Sequence, residues 1–137
     1  MSAPESEREL GARLLQKAGE AAARAYAPYS RLRVGAAVWT ARGNLYCGVN
    51  VENASYGLTL CAERAAVAQA VAAEWEGMRL RAVAVADASG KALTPCGACR
   101  QVILEFGPEA SVFFKAREGV KQVRAADLLP EGFLLSD

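Results

Sequence analysis

The apolar residues of this chain change period several times along its length, and that succession restricts the fold more than any other feature of the sequence. Between residues 7 and 26, Leu10, Leu14, Ala18, Ala21, Ala22 and Ala25 recur at helical spacing among charges. This predicts one amphipathic helix, ended by Ala27-Pro28-Tyr29-Ser30. Residues 34–40 and 45–51 are short apolar runs around Ala41-Arg42-Gly43-Asn44, the pattern of two strands joined by a tight turn. A polar loop over 53–59 leads to a helix over 60–75, and the continuous apolar run 82–86 reads as a central strand. A short helix over 96–106 closed by Gly107-Pro108, strands over 111–116 and 120–123, and a helical turn over 126–130 complete the chain. The order α-β-β-α-β-α-β predicts an α/β fold with helices covering both faces of one sheet.

At 137 residues the chain is expected to form a single domain, residues 1–137. Lys and Arg total 16 against 15 for Asp and Glu, a net charge of +1, so no basic field exists to hold nucleic acid non-specifically. There is no His, which removes His-based nucleophile triads, His metal ligands and the usual neutral-pH base together. Catalytic protons must then travel on a carboxylate, Lys, Tyr or Cys. The 29 alanines keep side chains small and let elements approach closely. The first ten residues hold no apolar stretch of signal-peptide length, and no uncharged apolar run approaches the ~18 residues of a membrane span. Four Cys without a leader predict reduced thiols and a cytoplasmic protein. From Ala65 to Ala73 only Gln69 interrupts an all-apolar helix. Packing against another subunit and simple helix propensity explain that run equally well.

The chemistry is carried by cysteines. Cys96 and Cys99, in Pro95-Cys96-Gly97-Ala98-Cys99-Arg100-Gln101, can reach one metal from the first turn of a helix, and Cys61 opens the preceding helix. Thiolates at helix N-termini are stabilised by the dipole, and three of them are soft ligands suited to zinc. Three protein ligands leave a fourth position open, where zinc lowers the pKa of bound water to about 7. Arg64 and Arg100, each beside a ligand cysteine, are placed to offset the excess negative charge. Glu63, two residues after Cys61, approaches the open position without being a ligand and is the natural proton shuttle. Cys-x-Glu followed by Pro-Cys-x-x-Cys is the zinc deaminase signature in its three-cysteine form.

On these residues the sequence resembles the cytidine deaminase family, in its small homotetrameric branch. The likeness extends through Ala27-Pro28-Tyr29-Ser30, Val34-Gly35-Ala36-Ala37, Gly48-Val49-Asn50-Val51-Glu52-Asn53-Ala54-Ser55-Tyr56, Cys61-Ala62-Glu63-Arg64 and Pro95-Cys96-Gly97-Ala98-Cys99-Arg100-Gln101-Val102. It implies a three-layer α/β/α sandwich around one mixed sheet of about five strands. It further implies hydrolysis of cytidine and 2′-deoxycytidine to the uridines and ammonia, in pyrimidine salvage. By resemblance Cys61, Cys96 and Cys99 hold one zinc ion per subunit, and Glu63 carries a proton to N3 of the base and then to the leaving amino group. Asn50 and Glu52 bind the ribose, and the backbone at Ala62 holds the base. Ala54 and Tyr56 come from a neighbouring subunit of a tetramer, and Phe133 covers the base. Leu32 stands where the family usually has an aromatic residue, so aliphatic contact replaces stacking on the base.

Other readings are available to the same residues. Cys47 reads as a small buried hydrophobe in a strand, or as the fourth thiolate of a structural zinc cage. Cys96 and Cys99 alone suit a redox dithiol, which leaves Cys61 and Glu63 without a task. Asn50 and Glu52 without the resemblance are ordinary turn and loop residues. Deaminases of blasticidin-type nucleoside antibiotics share Cys-Ala-Glu and Pro-Cys-x-x-Cys-Arg-Gln, but lack the stretch seen here as Asn50-Val51-Glu52-Asn53-Ala54. Deaminases of tRNA or single-stranded DNA usually carry His in place of Cys61 and need a basic channel.

Overall fold

The computed structural model describes residues 4–135, so residues 1–3, part of the stretch inspected for a leader, lie outside the described residues. Helix α1 (Glu7–Ala22) opens with a capping box, in which the Ser6 hydroxyl accepts from Glu9 N and the Glu9 carboxylate accepts from Ser6 N. The hairpin β1 (Val34–Thr40) and β2 (Leu45–Val49) follows. A 3-10 turn at Tyr56–Leu58 then leads to α2 (Ala62–Glu74), β3 (Leu80–Asp87), α3 (Gly97–Phe106), the hairpin β4 (Ser111–Ala116) and β5 (Gly119–Arg124), and the short α4 (Ala125–Leu128). The strands form one mixed sheet in the order β2-β1-β3-β4-β5, parallel only between β3 and β4. The expected architecture is what forms.

Strand alternation divides the core in two. Ala36, Val38, Val83, Val85, Val112 and Phe114 point to the face covered by α2 and α3. Ala37, Ala82, Ala84 and Phe113 point to the other, under Leu10, Leu14 and Ala18 of α1. Two glycines set how close the layers come. A Cβ at Gly35 would fall 2.0 Å from Ala18 O, and one at Gly48 would fall 2.4 Å from Ala66 N and 2.6 Å from Ala62 O. The backbone of α1 therefore lies against β1, and the first turn of α2 lies against β2.

Several elements end earlier than their sequence pattern suggests, each because a polar group finds a better partner. Helix α1 stops at Ala22 rather than Tyr26, because Tyr26 N donates to Asn50 O and Tyr26 forms an isolated bridge with Val51. Strand β2 stops at Val49 rather than at residue 51, since Asn50 turns its side chain to Leu32 and Val34. Helix α2 begins at Ala62 because Leu60 pairs with Val51 through two backbone hydrogen bonds. Its outer face, with Ala68, Gln69, Ala72 and Ala73, is exposed in the single chain, so the all-round apolar pattern does not correspond to burial within one subunit.

Candidate active site: three thiols at two helix starts

Both ligand-bearing helices present their N-termini at one end of the sheet. Cys61 is the N-cap of α2 and Cys96 the N-cap of α3, with Cys99 one turn further on and fully buried. The loop that delivers Cys96 leaves β3 at Asp87, whose buried carboxylate accepts from Ser89 N at 2.8 Å, from Lys91 N at 3.3 Å and from the Ser89 hydroxyl. Leu93 N then donates to Lys115 O at 2.9 Å, pinning the loop to β4. As a result the Cys61 and Cys96 sulfurs lie 3.8 Å apart and those of Cys96 and Cys99 3.4 Å apart, with all three within 4.8 Å of one another.

The donor set fits zinc. Three clustered sulfurs with no fourth Cys, His, Asp or Glu ligand atom among the described residues match a tetrahedral thiolate site that keeps one position free. Burial pushes the Cys96 thiol up, but hydrogen bonds from Cys99 N and from the neighbouring thiols outweigh it and bring it below its ordinary range. Burial and the Glu63 carboxylate push Cys99 strongly the other way. A cation shared among the sulfurs removes that opposition, since a coordinating thiol is deprotonated outright. Arg64 donates from Nη2 to Cys61 Sγ at 3.5 Å and to Thr59 O at 3.3 Å, which places one positive charge beside the sulfurs. Arg100 is bound differently. Its guanidinium donates to Pro95 O at 2.8 Å and Leu128 O at 3.0 Å, tying the loop before Cys96 to α4 rather than contacting a thiol.

Cys47 stands outside the cluster, which corrects the four-cysteine cage. It sits opposite Ala37 in the β1–β2 ladder and packs on the α1 side of the sheet. Strand parity thus puts its sulfur on the opposite face from the other three.

Glu63 is 4% exposed, and burial raises its pKa above the usual carboxylate range. It lines a cavity of about 200 Å³ together with Cys61, Ala62 and Cys96. Leu32, Val34, Val85 and Leu93 make the rest of that cavity largely apolar, with Asn50, Thr59 and Thr94 as its other polar members. A second recess of about 300 Å³, lined by Tyr29, Ser30, Glu52, Tyr56 and Thr59, shares Thr59 with the first.

Asn50 and Glu52 are both buried and both already engaged. Asn50 Oδ1 accepts from Val34 N and Nδ2 donates to Leu32 O, each at 2.8 Å. Glu52 Oε1 accepts from Tyr29 N at 2.9 Å and Ser30 N at 3.1 Å, and Oε2 accepts from the Ser30 hydroxyl. These bonds, the Ser30 hydroxyl foremost, hold the Glu52 carboxyl below its ordinary range. The structure does not bring every expected residue to the cavity. Ala54 is exposed, Tyr56 meets Tyr29 edge-on at 5.8 Å in the second recess, and Phe133 is 68% exposed with its carbonyl accepting from Gln101 Nε2. Thr59, Leu93 and Thr94 line the cavities without having been singled out in the sequence, and Ser30 was noted there only as part of Ala27-Pro28-Tyr29-Ser30 and not for a site role. Their one sequence signal is adjacency, since Thr59 and Thr94 each stand two residues before a ligand cysteine.

Comparison with known proteins agrees with this geometry. The family model described as the cytidine and deoxycytidylate deaminase zinc-binding region matches residues 8–115. The chain is 48% identical over 120 residues to the cytidine deaminase of Mycobacterium tuberculosis, covering 88% of this chain and 86% of that protein. It is 42% identical over 127 residues to the cytidine deaminase of Halalkalibacterium halodurans, covering 90% and 94%. The crystal structure of the Burkholderia pseudomallei cytidine deaminase superposes with a TM-score of 0.80 at 45% identity, covering 89% of this chain and 98% of that one. That of the M. tuberculosis enzyme gives 0.79 at 46%, covering 90% and 97%. With its fold, its three-thiol centre and nearly its whole length accounted for in this way, the chain belongs to the cytidine and deoxycytidylate deaminase family.

Proposed function

We propose that this protein hydrolyses cytidine and 2′-deoxycytidine to uridine and 2′-deoxyuridine, releasing ammonia, and serves pyrimidine salvage in the cytoplasm. The observation that carries the reading is a buried carboxyl, Glu63, lining an apolar cavity beside three clustered thiols. Cys61, Cys96 and Cys99 hold one zinc ion per subunit, which when bound supplies a Lewis acid that activates water. The apolar walls at Leu32, Val34, Val85 and Leu93 take one pyrimidine ring, and the backbone at Ala62 holds its edge. Glu63 moves the protons. It takes one from the attacking water and gives it to N3 as the oxygen bonds to C4. It then takes the proton of the new C4 hydroxyl and delivers it to the amino group as the C4–N bond breaks, which leaves the C4 carbonyl and releases ammonia. Burial suits Glu63 to this task, because a raised pKa brings a carboxyl closer to the operating pH.

Asn50 keeps one N–H and Glu52 one acceptor site beyond the bonds described above, a donor and an acceptor for a sugar hydroxyl. Arg64 offsets charge at Cys61, and Arg100 fixes the loop before Cys96. The working assembly is a homotetramer. Tyr26, Tyr29, Leu32, Val51, Tyr56 and Leu58 are all exposed, and Tyr29, Leu32 and Tyr56 line the two recesses, an apolar rim of the kind a subunit contact covers. In that assembly Ala54, Tyr56 and Phe133 act on a neighbour's site. The four cysteines are free thiols, which suits a reducing compartment. A deaminase of blasticidin-type nucleosides is not favoured, because the similar proteins bear the name cytidine deaminase.

The test is ammonia release from cytidine by the zinc-loaded protein beside Glu63→Gln. The variant is expected to retain zinc and lose at least about 10³-fold in kcat. Loss of zinc would make Glu63 a ligand, and unchanged turnover would remove it from the mechanism.

A further inference from the structure

Glu52 is more constrained than a sugar-binding carboxylate needs to be for binding alone. A carboxylate has about four acceptor sites, two on each oxygen. On Glu52, Tyr29 N and Ser30 N occupy both sites of Oε1, and the Ser30 hydroxyl occupies one on Oε2. One site remains, on Oε2, in the recess that meets the base cavity at Thr59. The Ser30 hydroxyl is equally committed. It has one proton, directed at Glu52, and it accepts from Leu32 N at 3.0 Å, while Leu32 is held independently through its carbonyl, which accepts from Asn50 Nδ2. The turn carrying Ser30 is closed by Arg31 N donating to Ala27 O, with Arg31 in the left-handed region at φ 62°. Such a conformation persists only where neighbouring bonds over-determine it. The three bonds to Glu52 and the one from Leu32 supply that constraint.

We infer that Ser30 is a positioning residue that determines sugar specificity: it orients Glu52 so that a single acceptor site faces one sugar hydroxyl. This rests on the nucleoside reading proposed above. One acceptor site reads one hydroxyl, so the remaining ribose hydroxyls go unread by Glu52. Without the Ser30 proton, Oε2 has two open sites while Oε1 stays bound to the turn, and the preference of Oε2 for one direction is lost.

The experiment compares wild type, Ser30→Ala and Ser30→Thr, all zinc-loaded, with cytidine, 2′-deoxycytidine and 2′,3′-dideoxycytidine as substrates. Zinc content serves as the check on folding. For Ser30→Ala, KM for cytidine is expected to rise about tenfold with kcat within about twofold, the signature of lost binding through one hydrogen bond. For dideoxycytidine, which lacks both the 2′- and the 3′-hydroxyl, KM should change less than about twofold. Ser30→Thr, which keeps the hydroxyl, should restore the cytidine value. An equal loss on all three nucleosides would make Ser30 a general support of the turn and overturn the inference, as would no loss on cytidine. Should Ser30→Ala not fold, Ser30→Cys, of similar size with a weak donor, carries the same comparison. A wild type that releases no ammonia from cytidine overturns the deaminase reading and the Ser30 role together. A working wild type with uniform loss in the variant overturns the Ser30 role alone.

Discussion

At the scale of single residues, position on an element decides what each side chain can do. Glu63 and Cys61 are two residues apart, yet one is a buried carboxyl on the helix proper and the other caps it from outside, so they reach the same cavity from different directions. Leu32 shows the same logic for binding. It is 42% exposed and lines the cavity beside Glu63, and under the proposed function an aromatic ring at this place would stack on a planar base. An aromatic pair contributes about 0.5–1.5 kcal/mol beyond area burial. Leu32→Phe is therefore expected to lower KM for cytidine by about threefold while leaving kcat within about twofold, measured by steady-state kinetics. A KM that stays constant or rises would show that aliphatic contact already serves this cavity as well as a ring.

At the scale of elements, α2 is the part that must be placed accurately, because its N-terminus carries Cys61 and Glu63. It is held at both ends. Gly48 lets its first turn rest on β2, and at its C-terminus the buried Glu74 binds the β1–β2 hairpin. Glu74 Oε2 accepts from Thr40 Oγ1 at 2.7 Å, Asn44 Nδ2 at 2.9 Å and Tyr46 OH at 3.1 Å, while Arg42 donates to Glu74 O at 2.9 Å. Burial alone would raise the Glu74 pKa, but these hydrogen bonds and the Arg42 charge outweigh it, and the carboxyl titrates below its ordinary range. The sign of the linkage follows. A carboxyl with a depressed folded-state pKa contributes stability that is present above the unfolded pKa and is lost as pH falls through the folded one. The Tm difference between wild type and Glu74→Gln should thus be full at neutral pH and close as pH drops below about 4. A difference independent of pH would mean that the hairpin lock works through shape and not through charge.

At the scale of the whole molecule, the three thiols join the starts of two helices that share one core. Helices α2 and α3 lie on the same face of the sheet, and the cluster of Cys61, Cys96 and Cys99 links their first turns. A metal bound there by the native state and poorly by the unfolded chain stabilises the fold by mass action. Removing zinc with a strong chelator is expected to lower Tm by about 5 °C or more, and adding zinc back under reducing conditions should restore it. Thermal melts that coincide with and without chelator, in a protein shown by metal analysis to have lost its zinc, would mean that the two helix starts are held by packing alone. None of the described helices is long and apolar enough to cross a membrane.

Much of this was legible in the sequence, because the patterns involved are local. Helix and strand periods, the turn at Gly43-Asn44, the two cysteine-capped helix starts and the glutamate two residues after Cys61 all follow from spacing along the chain, and they led to the fold class and the zinc set. What spacing cannot carry is which polar group satisfies which. Asn50 and Glu52 were legible as a polar pair after a strand, but only the tertiary structure shows that they clamp residues 29–34 and leave a donor on Asn50 and an acceptor on Glu52 open. Arg64 and Arg100 occupy equivalent places beside ligand cysteines, yet one finds a sulfur and the other two carbonyls. The exclusion of Cys47 was half visible, since alternation along β2 assigns it to one face. Which face that is depends on where α1 and α2 pack, and that is decided by close approach at Gly35 and Gly48. Local propensity and period therefore determined the elements and the donor types. The contacts between elements distant in the chain decided the orientation of every hydrogen bond at the site.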